Sequence, residues 1–159
     1  MIANRYKIGS GTGKGFERLV SFDNALINGG VANYNLVRLS SILPLAACEA
    51  EDIDLPLGSL LPVAYATYST DKPGVNIASA IAIGFPKEVD SEHCAVIMEY
   101  EGECTRSEAV SCVLSMVKDA FSARKWELLL TETSASEAVS EAGEWVSVFS
   151  YVAEWEESK

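Results

Sequence analysis

Three consecutive apolar segments, at positions 61–69, 75–85 and 94–101, constrain the fold of this chain most strongly. Residues that break regular structure separate them, at 71–74 and 86–91, so each segment reads as a strand. The alternation of apolar and polar residues along them is imperfect, which indicates burial on both faces. The sequence therefore predicts strands that lie inside a layered structure.

Two helices are predicted, one early and one late. The late helix begins with the capping box Thr105-Arg106-Ser107-Glu108, after which apolar residues recur at helical spacing as far as Phe121. The early helix is predicted to begin at Ser21 as its N-cap, to carry Asp23 in its first turn and to end at Gly29-Gly30.

Further strands are predicted at 35–39, 126–133 and 145–155. An order of strands with one helix early and one late predicts an α+β sandwich rather than a doubly wound parallel sheet. Because no internal repeat or linker divides the chain, residues 1–159 are expected to form a single domain.

The charge of the chain argues against several kinds of partner. Twelve Lys and Arg residues against 23 Asp and Glu residues give a formal net charge of -11, which repels nucleic-acid phosphates and anionic lipid. The longest apolar runs, 60–66 and 77–85, are shorter than the roughly 20 residues that cross a membrane. One histidine and the absence of a CxxC pair disfavour a structural zinc site. We therefore expect a soluble, cytoplasmic protein that binds no nucleic acid, membrane or metal.

A glycine-rich run near the start, Gly9-Ser10-Gly11-Thr12-Gly13-Lys14-Gly15, invites comparison with phosphate-binding loops. A Walker A loop would need glycine where Ile8 stands and Ser or Thr where Gly15 stands, and the dinucleotide pattern fails at its third glycine. The run is therefore predicted to be a flexible surface loop, and a nucleotide-binding role for it is disfavoured.

The serine pair Ser40-Ser41 follows the strand predicted at 35–39 and precedes Pro44, which prevents an interior strand from continuing. The segment 33–44, NYNLVRLSSILP, resembles the processing site of pyruvoyl-dependent arginine decarboxylases, whose proenzymes cleave between two such serines. Two further segments, FDNALI upstream and IMEYEG downstream, resemble motifs of the same family in the same order. Three separated motifs in the correct order are stronger support than any one of them.

The resemblance implies a proenzyme that cleaves itself between Ser40 and Ser41, giving a β chain of residues 1–40 and an α chain of residues 41–159. Ser41 would supply the hydroxyl that attacks the preceding carbonyl, and would itself become a covalent pyruvoyl group at the start of the α chain. The side-chain amide of Asn35 is implied as the donor that stabilises the charge developing on this peptide.

The resemblance also assigns the contacts with substrate. Glu99 corresponds to the proton donor of the decarboxylation, a role that needs a carboxyl pKa raised by burial. Asp23 corresponds to the carboxylate that binds the guanidinium of arginine, and Leu26 to a residue lining the pocket. The new carboxylate of Ser40 is expected to add a second anionic contact. Without the resemblance, Glu99 reads as a solvent-facing strand carboxylate, Asp23 as a residue favoured by the helix dipole and Leu26 as a core leucine.

The implied function is the conversion of L-arginine to agmatine and CO2, a step of polyamine biosynthesis. The implied fold is a four-layer αββα sandwich, assembled as a homotrimer or hexamer with active sites where subunits meet. Two alternatives stay open. One is a pyruvoyl-dependent decarboxylase of another amino acid, because arginine selectivity rests mainly on Asp23. The other is an unprocessed binding or assembly domain with the same fold.

Overall fold

The computed structural model describes residues 2–157, within which the chain forms two helices and nine strands. The helices are α1 (Arg18–Gly29) and α2 (Arg106–Arg124). The strands are β1 (Arg5–Gly15), β2 (Asn35–Arg38), β3 (Ile42–Leu43), β4 (Cys48–Glu49), β5 (Leu60–Thr70), β6 (Asn76–Pro86), β7 (Ala95–Gly102), β8 (Leu128–Val139) and β9 (Trp145–Trp155). Met1, at the start of the predicted β chain, and residues 158–159, at the end of the predicted α chain, lie outside the described residues.

The strands form two sheets that pack face to face. One sheet has the order β2-β5-β9-β1-β4 and the other the order β3-β7-β6-β8. Helix α1 packs against β1, β9 and β5 of the first sheet, and α2 packs against β6, β7 and β8 of the second. Apolar side chains from both sheets meet between them, including Ile81, Ile83, Ile97 and Val152. The chain is therefore a four-layer αββα sandwich, which confirms the predicted α+β class.

Several predicted elements are confirmed at close to their predicted bounds. Strand β6 lies between β7 and β8 and is buried along nearly its whole length, as its continuous apolar sequence indicates. The capping box of α2 is formed, because Thr105 Oγ1 accepts a hydrogen bond from the Glu108 amide and Glu108 Oε2 accepts one from the Thr105 amide. Strand β9 has the predicted bounds.

The glycine-rich run was wrongly predicted to be a flexible loop. It is part of β1, which pairs antiparallel with β9 along its whole length from Arg5 to Gly15. A Cβ atom on Gly11 would overlap the Ala25 carbonyl oxygen of α1, and one on Gly13 would overlap backbone atoms of the same helix. The glycines therefore allow α1 to lie directly on β1, and this close packing leaves no open loop to hold a phosphate.

The start of α1 also differs from the prediction. The helix begins at Arg18 with Glu17 as its N-cap, and no side chain caps it. Ser21 lies inside the helix and is buried, where its hydroxyl donates to the Arg18 carbonyl and shares a hydrogen bond with the hydroxyl of Ser147. Asp23 is therefore beyond the first turn, so the helix dipole does not account for it. The predicted end is confirmed, since Gly30 has the left-handed conformation with φ 80°.

Two findings concern partners. Among residues 2–157, no helix is both long and apolar enough to span a lipid bilayer. Within the same residues, His, Cys, Asp and Glu side chains do not gather in groups of three that could hold a metal ion.

Candidate active site

The serine pair lies where the chain crosses from one sheet to the other. Strand β2, at the edge of the first sheet, ends at Arg38, and β3, at the edge of the second sheet, begins at Ile42. The Leu39 amide donates to the Val63 carbonyl at 2.9 Å, and the Ile97 amide donates to the Ser41 carbonyl at 2.8 Å. Ladder-type hydrogen bonds therefore fix the chain on both sides of the Ser40–Ser41 peptide.

Glu99 lies close to this crossing, on β7. It follows Ile97 by two residues, so it points to the same side of the strand, about 7 Å further along. Its side chain is 25% exposed, while its Oε2 atom is buried and has no hydrogen-bond partner among the described residues. Burial raises the pKa of Glu99, and the neighbouring Arg38 opposes that rise. The carboxyl therefore binds its proton more tightly than an ordinary glutamate, which is the direction that a proton donor needs.

Arg38 contacts Glu99, although the sequence motifs assign Arg38 no role. Its Nη2 donates to Glu99 Oε1 at 3.2 Å and to the Tyr65 carbonyl at 2.9 Å. The guanidinium carbon also lies 4.4 Å from the centre of the Tyr65 ring, in a cation–π contact. The sequence could have marked Arg38 as a candidate residue, because it is a cation two residues before the serine pair in a strongly acidic chain. It could not have shown that Arg38 contacts Glu99.

Asn35 is not brought to the serine pair within one chain. It lies at the start of β2, and about 13 Å of extended strand separates its Cα atom from that of Leu39. Its side-chain amide donates to the Gly58 carbonyl at 2.7 Å. The amide therefore cannot reach the Ser40–Ser41 peptide of its own chain in this conformation.

Asp23 and Leu26 lie on α1, which packs on the outer side of the first sheet. Leu26 points into the core beneath the helix and is only 9% exposed, whereas Asp23 is exposed. Both line a surface pocket of about 400 Å³ together with Leu19, Val20 and Phe22. The serine pair and Glu99 do not line this pocket, so one chain presents the predicted site as two separate parts.

Comparison with known proteins identifies the family. Residues 5–158 match the family model of pyruvoyl-dependent arginine decarboxylase. The chain belongs to this family. A pyruvoyl-dependent arginine decarboxylase from Methanocaldococcus jannaschii is 41% identical over 136 residues, which cover 86% of this chain and 81% of the relative. The enzyme of the same name from Thermococcus kodakarensis is 42% identical over 122 residues, covering 76% of each.

A solved structure has a fold similar to that of this member of the arginine decarboxylase family. A pyruvoyl-dependent histidine decarboxylase superposes with a TM-score of 0.53 at 17% sequence identity. The match covers 66% of this chain and 54% of the other. At this level of identity the likeness concerns the arrangement of strands and helices, and it agrees with the sandwich described above.

The family depends on a covalent pyruvoyl group, and the residues at the crossing fit such a group. Ser41 is the only one of the two serines whose carbonyl is held by the second sheet, through Ile97. The buried, unpartnered Oε2 of Glu99 supplies a polar atom with no other role among the described residues. Tyr65, which Arg38 contacts, also lines a pocket of about 470 Å³ between α1 and β5, but the serine pair and Glu99 do not line it.

Proposed function

We propose that this chain cleaves itself between Ser40 and Ser41 and then decarboxylates L-arginine to agmatine and CO2. Family membership supports the reaction class, and the relatives carry the name arginine decarboxylase. The observation on which the proposal mainly rests is the serine pair in an ordered crossing between two sheets, with the half-buried carboxyl of Glu99 on the adjoining strand.

The cleavage uses only groups of the chain. The Ser41 hydroxyl attacks the carbonyl carbon of Ser40, and the peptide bond between them is replaced by an ester as the Ser41 nitrogen becomes an amine. Elimination across the Ser41 side chain breaks the ester, leaving Ser40 with a free carboxylate and position 41 as dehydroalanine. Addition of water and loss of ammonia then give the pyruvoyl group on Ile42. The hydrogen bond from the Ile97 amide to the Ser41 carbonyl holds the reacting residue during these steps.

In the decarboxylation, the residues of the chain bind the substrate and transfer a proton. A pyruvoyl group at position 41 would supply a carbonyl that binds the substrate amine, and its adjacent amide carbonyl would accept the electron pair left behind when CO2 departs. Glu99 donates a proton to the substrate carbon, a role favoured by the raised pKa that burial gives its carboxyl. Asp23 binds the guanidinium in a two-point contact, Leu26 lines the pocket, and the new carboxylate of Ser40 adds a second negative charge.

This assignment of roles requires more than one copy of the chain. Asp23 and Leu26 on α1 are apart from the serine pair within one chain, and Asn35 lies at the far end of β2. A homotrimer or hexamer would complete the site if a second copy brought these residues to the crossing. Exposed apolar side chains on and beside α1, such as Phe16, Leu19 and Leu57, are available for such contacts.

The proposed setting follows from the proposed reaction. A zymogen that makes agmatine from arginine would act in the cytoplasm, where it supplies polyamine biosynthesis. The net charge of -11 favours a cationic substrate over an anionic one. It also fits the expectation that the protein binds neither nucleic acid nor membrane.

Intact-protein mass spectrometry tests the cleavage. We expect two fragments, ending at Ser40 and beginning at position 41, with a blocked terminus on the larger one. Ser41→Ala should stay whole. Ser115→Ala, an exposed serine on α2, is the matched control and should be cut like the parent. A parent chain that stays whole after long incubation would favour the unprocessed binding domain instead.

Release of CO2 from arginine, lysine, ornithine and histidine tests the substrate. We expect arginine to be preferred, and Asp23→Asn to lose much of that preference while the chain is still cut. If the cut protein turned over another amino acid and left arginine unchanged, the reaction class would stand and the choice of arginine would be wrong.

A further inference from the structure

Arg38 is a charged side chain close to the scissile peptide, and the proposed reaction gives it no role. It is nevertheless fixed in place by three contacts. Its Nη2 atom lies 3.2 Å from Glu99 Oε1 and 2.9 Å from the Tyr65 carbonyl, and its guanidinium stacks on the Tyr65 ring. A freely solvated arginine would make none of these contacts.

The path of the side chain links the two sheets. β2 pairs with β5 only as far as Arg38 and Val63, so the edge of β5 is open beyond that point. Arg38 extends past this open edge, bonds to the Tyr65 carbonyl there and reaches Glu99 in the second sheet. Since Arg38 belongs to residues 1–40 and its two partners to residues 41–159, the contact would join the two chains after the cut.

The pair contributes little to the stability of the fold. The Arg38 side chain is 53% exposed, and exposed ion pairs are weak because water and salt screen them. Arg38 matters more for the orientation of the Glu99 carboxyl than for the stability of the fold. It is the only hydrogen-bond partner of this carboxyl among the described residues. Without Arg38, neither carboxylate oxygen would be held in a defined direction.

Few other charges act on Glu99. Glu101 follows it on β7, and the residue opposite on β6 is the apolar Ile81. Burial raises the pKa of Glu99 and Arg38 lowers it. The pKa of Glu101 is raised mainly by burial; Arg38 opposes this rise and the charge of Glu99 adds to it. Within residues 2–157, Arg38 is therefore the cation that balances these two carboxylates.

We propose that Arg38 is a positioning residue for the reaction, which holds the Glu99 carboxyl beside the Ser40–Ser41 crossing before and after cleavage. The inference rests on the proposed function, in which Glu99 donates the proton. It adds a residue on the β chain that controls the direction and the proton affinity of an acid on the α chain.

The pH dependence of kcat tests this role with Arg38→Gln and Arg38→Lys. Loss of the positive charge raises the pKa of Glu99, and the protonated form is the donor. The alkaline limb of kcat should therefore move to higher pH in Arg38→Gln, by about 1 pH unit. Because the carboxyl is also no longer held in place, kcat at the optimum should fall by roughly tenfold. Arg38→Lys should keep the limb near its original pH while recovering only part of kcat.

A matched control separates this effect from the loss of any surface arginine. Arg5 forms a similar pair with Glu157 at 2.6 Å, with side chains 37% and 36% exposed, away from the crossing. Arg5→Gln should leave both kcat and the alkaline limb unchanged. An Arg38→Gln enzyme with the parent's pH profile and kcat would overturn the proposal.

A second measurement does not depend on activity. In the uncut Ser41→Ala chain, carbon-13 NMR can follow the titration of the glutamate carboxyls, with Glu99 assigned from its missing signal in Glu99→Gln. The Glu99 titration should move to higher pH when Arg38→Gln is added, and an unmoved titration would refute the contact. If the unsubstituted protein neither cleaves itself nor decarboxylates an amino acid, the proposed function is refuted. The NMR titration would still decide whether Arg38 acts on Glu99.

Discussion

Glu154 is a buried carboxyl whose ionisation should make the stability of the protein depend on pH. It lies on β9 opposite Tyr6 of β1, is only 5% exposed, and its Oε1 atom has no hydrogen-bond partner among the described residues. Burial raises its pKa from the ordinary 4.5 to about 7. Since each pH unit corresponds to roughly 1.36 kcal/mol, this difference amounts to about 3 kcal/mol.

The sign follows from which state binds the proton more tightly. Because the pKa is raised in the folded state, the contribution of Glu154 to stability is fully present below pH 4.5 and is lost as the pH rises through about 7. Glu154→Gln has a side chain of the same shape that stays neutral at every pH. The variant should therefore be more stable than the parent by about 3 kcal/mol at pH 8, and nearly equal to it at pH 4.5.

Urea unfolding at pH 4.5, 6, 7 and 8 measures this difference, with both chains carrying Ser41→Ala so that each unfolds as one piece. Other carboxylates titrate in both chains and cancel in the comparison. Glu156→Gln, an exposed residue just beyond β9, is the control and should show no pH-dependent gap. A gap between Glu154→Gln and its parent that stays constant from pH 4.5 to 8 would refute the reasoning.

Two further predictions concern the fold. Gly11→Ala places a Cβ atom against the backbone of α1 and should lower the free energy of unfolding by about 3 kcal/mol or more. In the control Gly102→Ala, the added Cβ meets no atom closer than 4.0 Å, so the free energy of unfolding should change far less. Thermal unfolding of the two variants measures this difference. Thr105→Ala removes the N-cap of α2 and should cost about 1 kcal/mol in urea unfolding, while the exposed neighbour Ser107→Ala should cost only a few tenths. Equal effects within either pair would contradict the assigned contacts.

Local signals in the sequence predict the elements that depend on local contacts. The capping box is formed by residues three apart, so it could be read directly, and α2 begins where it indicates. The apolar run at 77–85 predicts β6, and the alternation of residues along 145–155 predicts β9, because both patterns are also local. The prediction for the glycine-rich run was wrong because glycine is favoured both in flexible loops and where two backbones pack closely together. Only the position of α1 against Gly11 and Gly13 distinguishes them, and that contact is not local.

The candidate site shows the same division. Motifs along the chain make Ser40, Ser41 and Glu99 candidate site residues, and the structure shows the crossing hydrogen-bonded to β7, the strand that carries Glu99. The contact between Arg38 and Glu99 joins residues 61 positions apart, on different sheets, and no pattern along the chain reports it. The sequence also did not show that Asn35 is distant from Ser41. The two residues are only six positions apart, but an extended strand carries them far from each other in space.

The position of the serine pair explains how a chain could be cut there and keep its fold. A cut inside a strand would break a ladder, and a cut in a free loop would leave the reacting groups undefined. The crossing avoids both, because Leu39 is bonded to Val63 in one sheet and Ser41 to Ile97 in the other. Breaking the intervening peptide removes no ladder hydrogen bond from either sheet. After a cut, the new end at Ser40 would stay tied to β5 through β2, and the end at position 41 would stay tied to β7, the strand that carries Glu99.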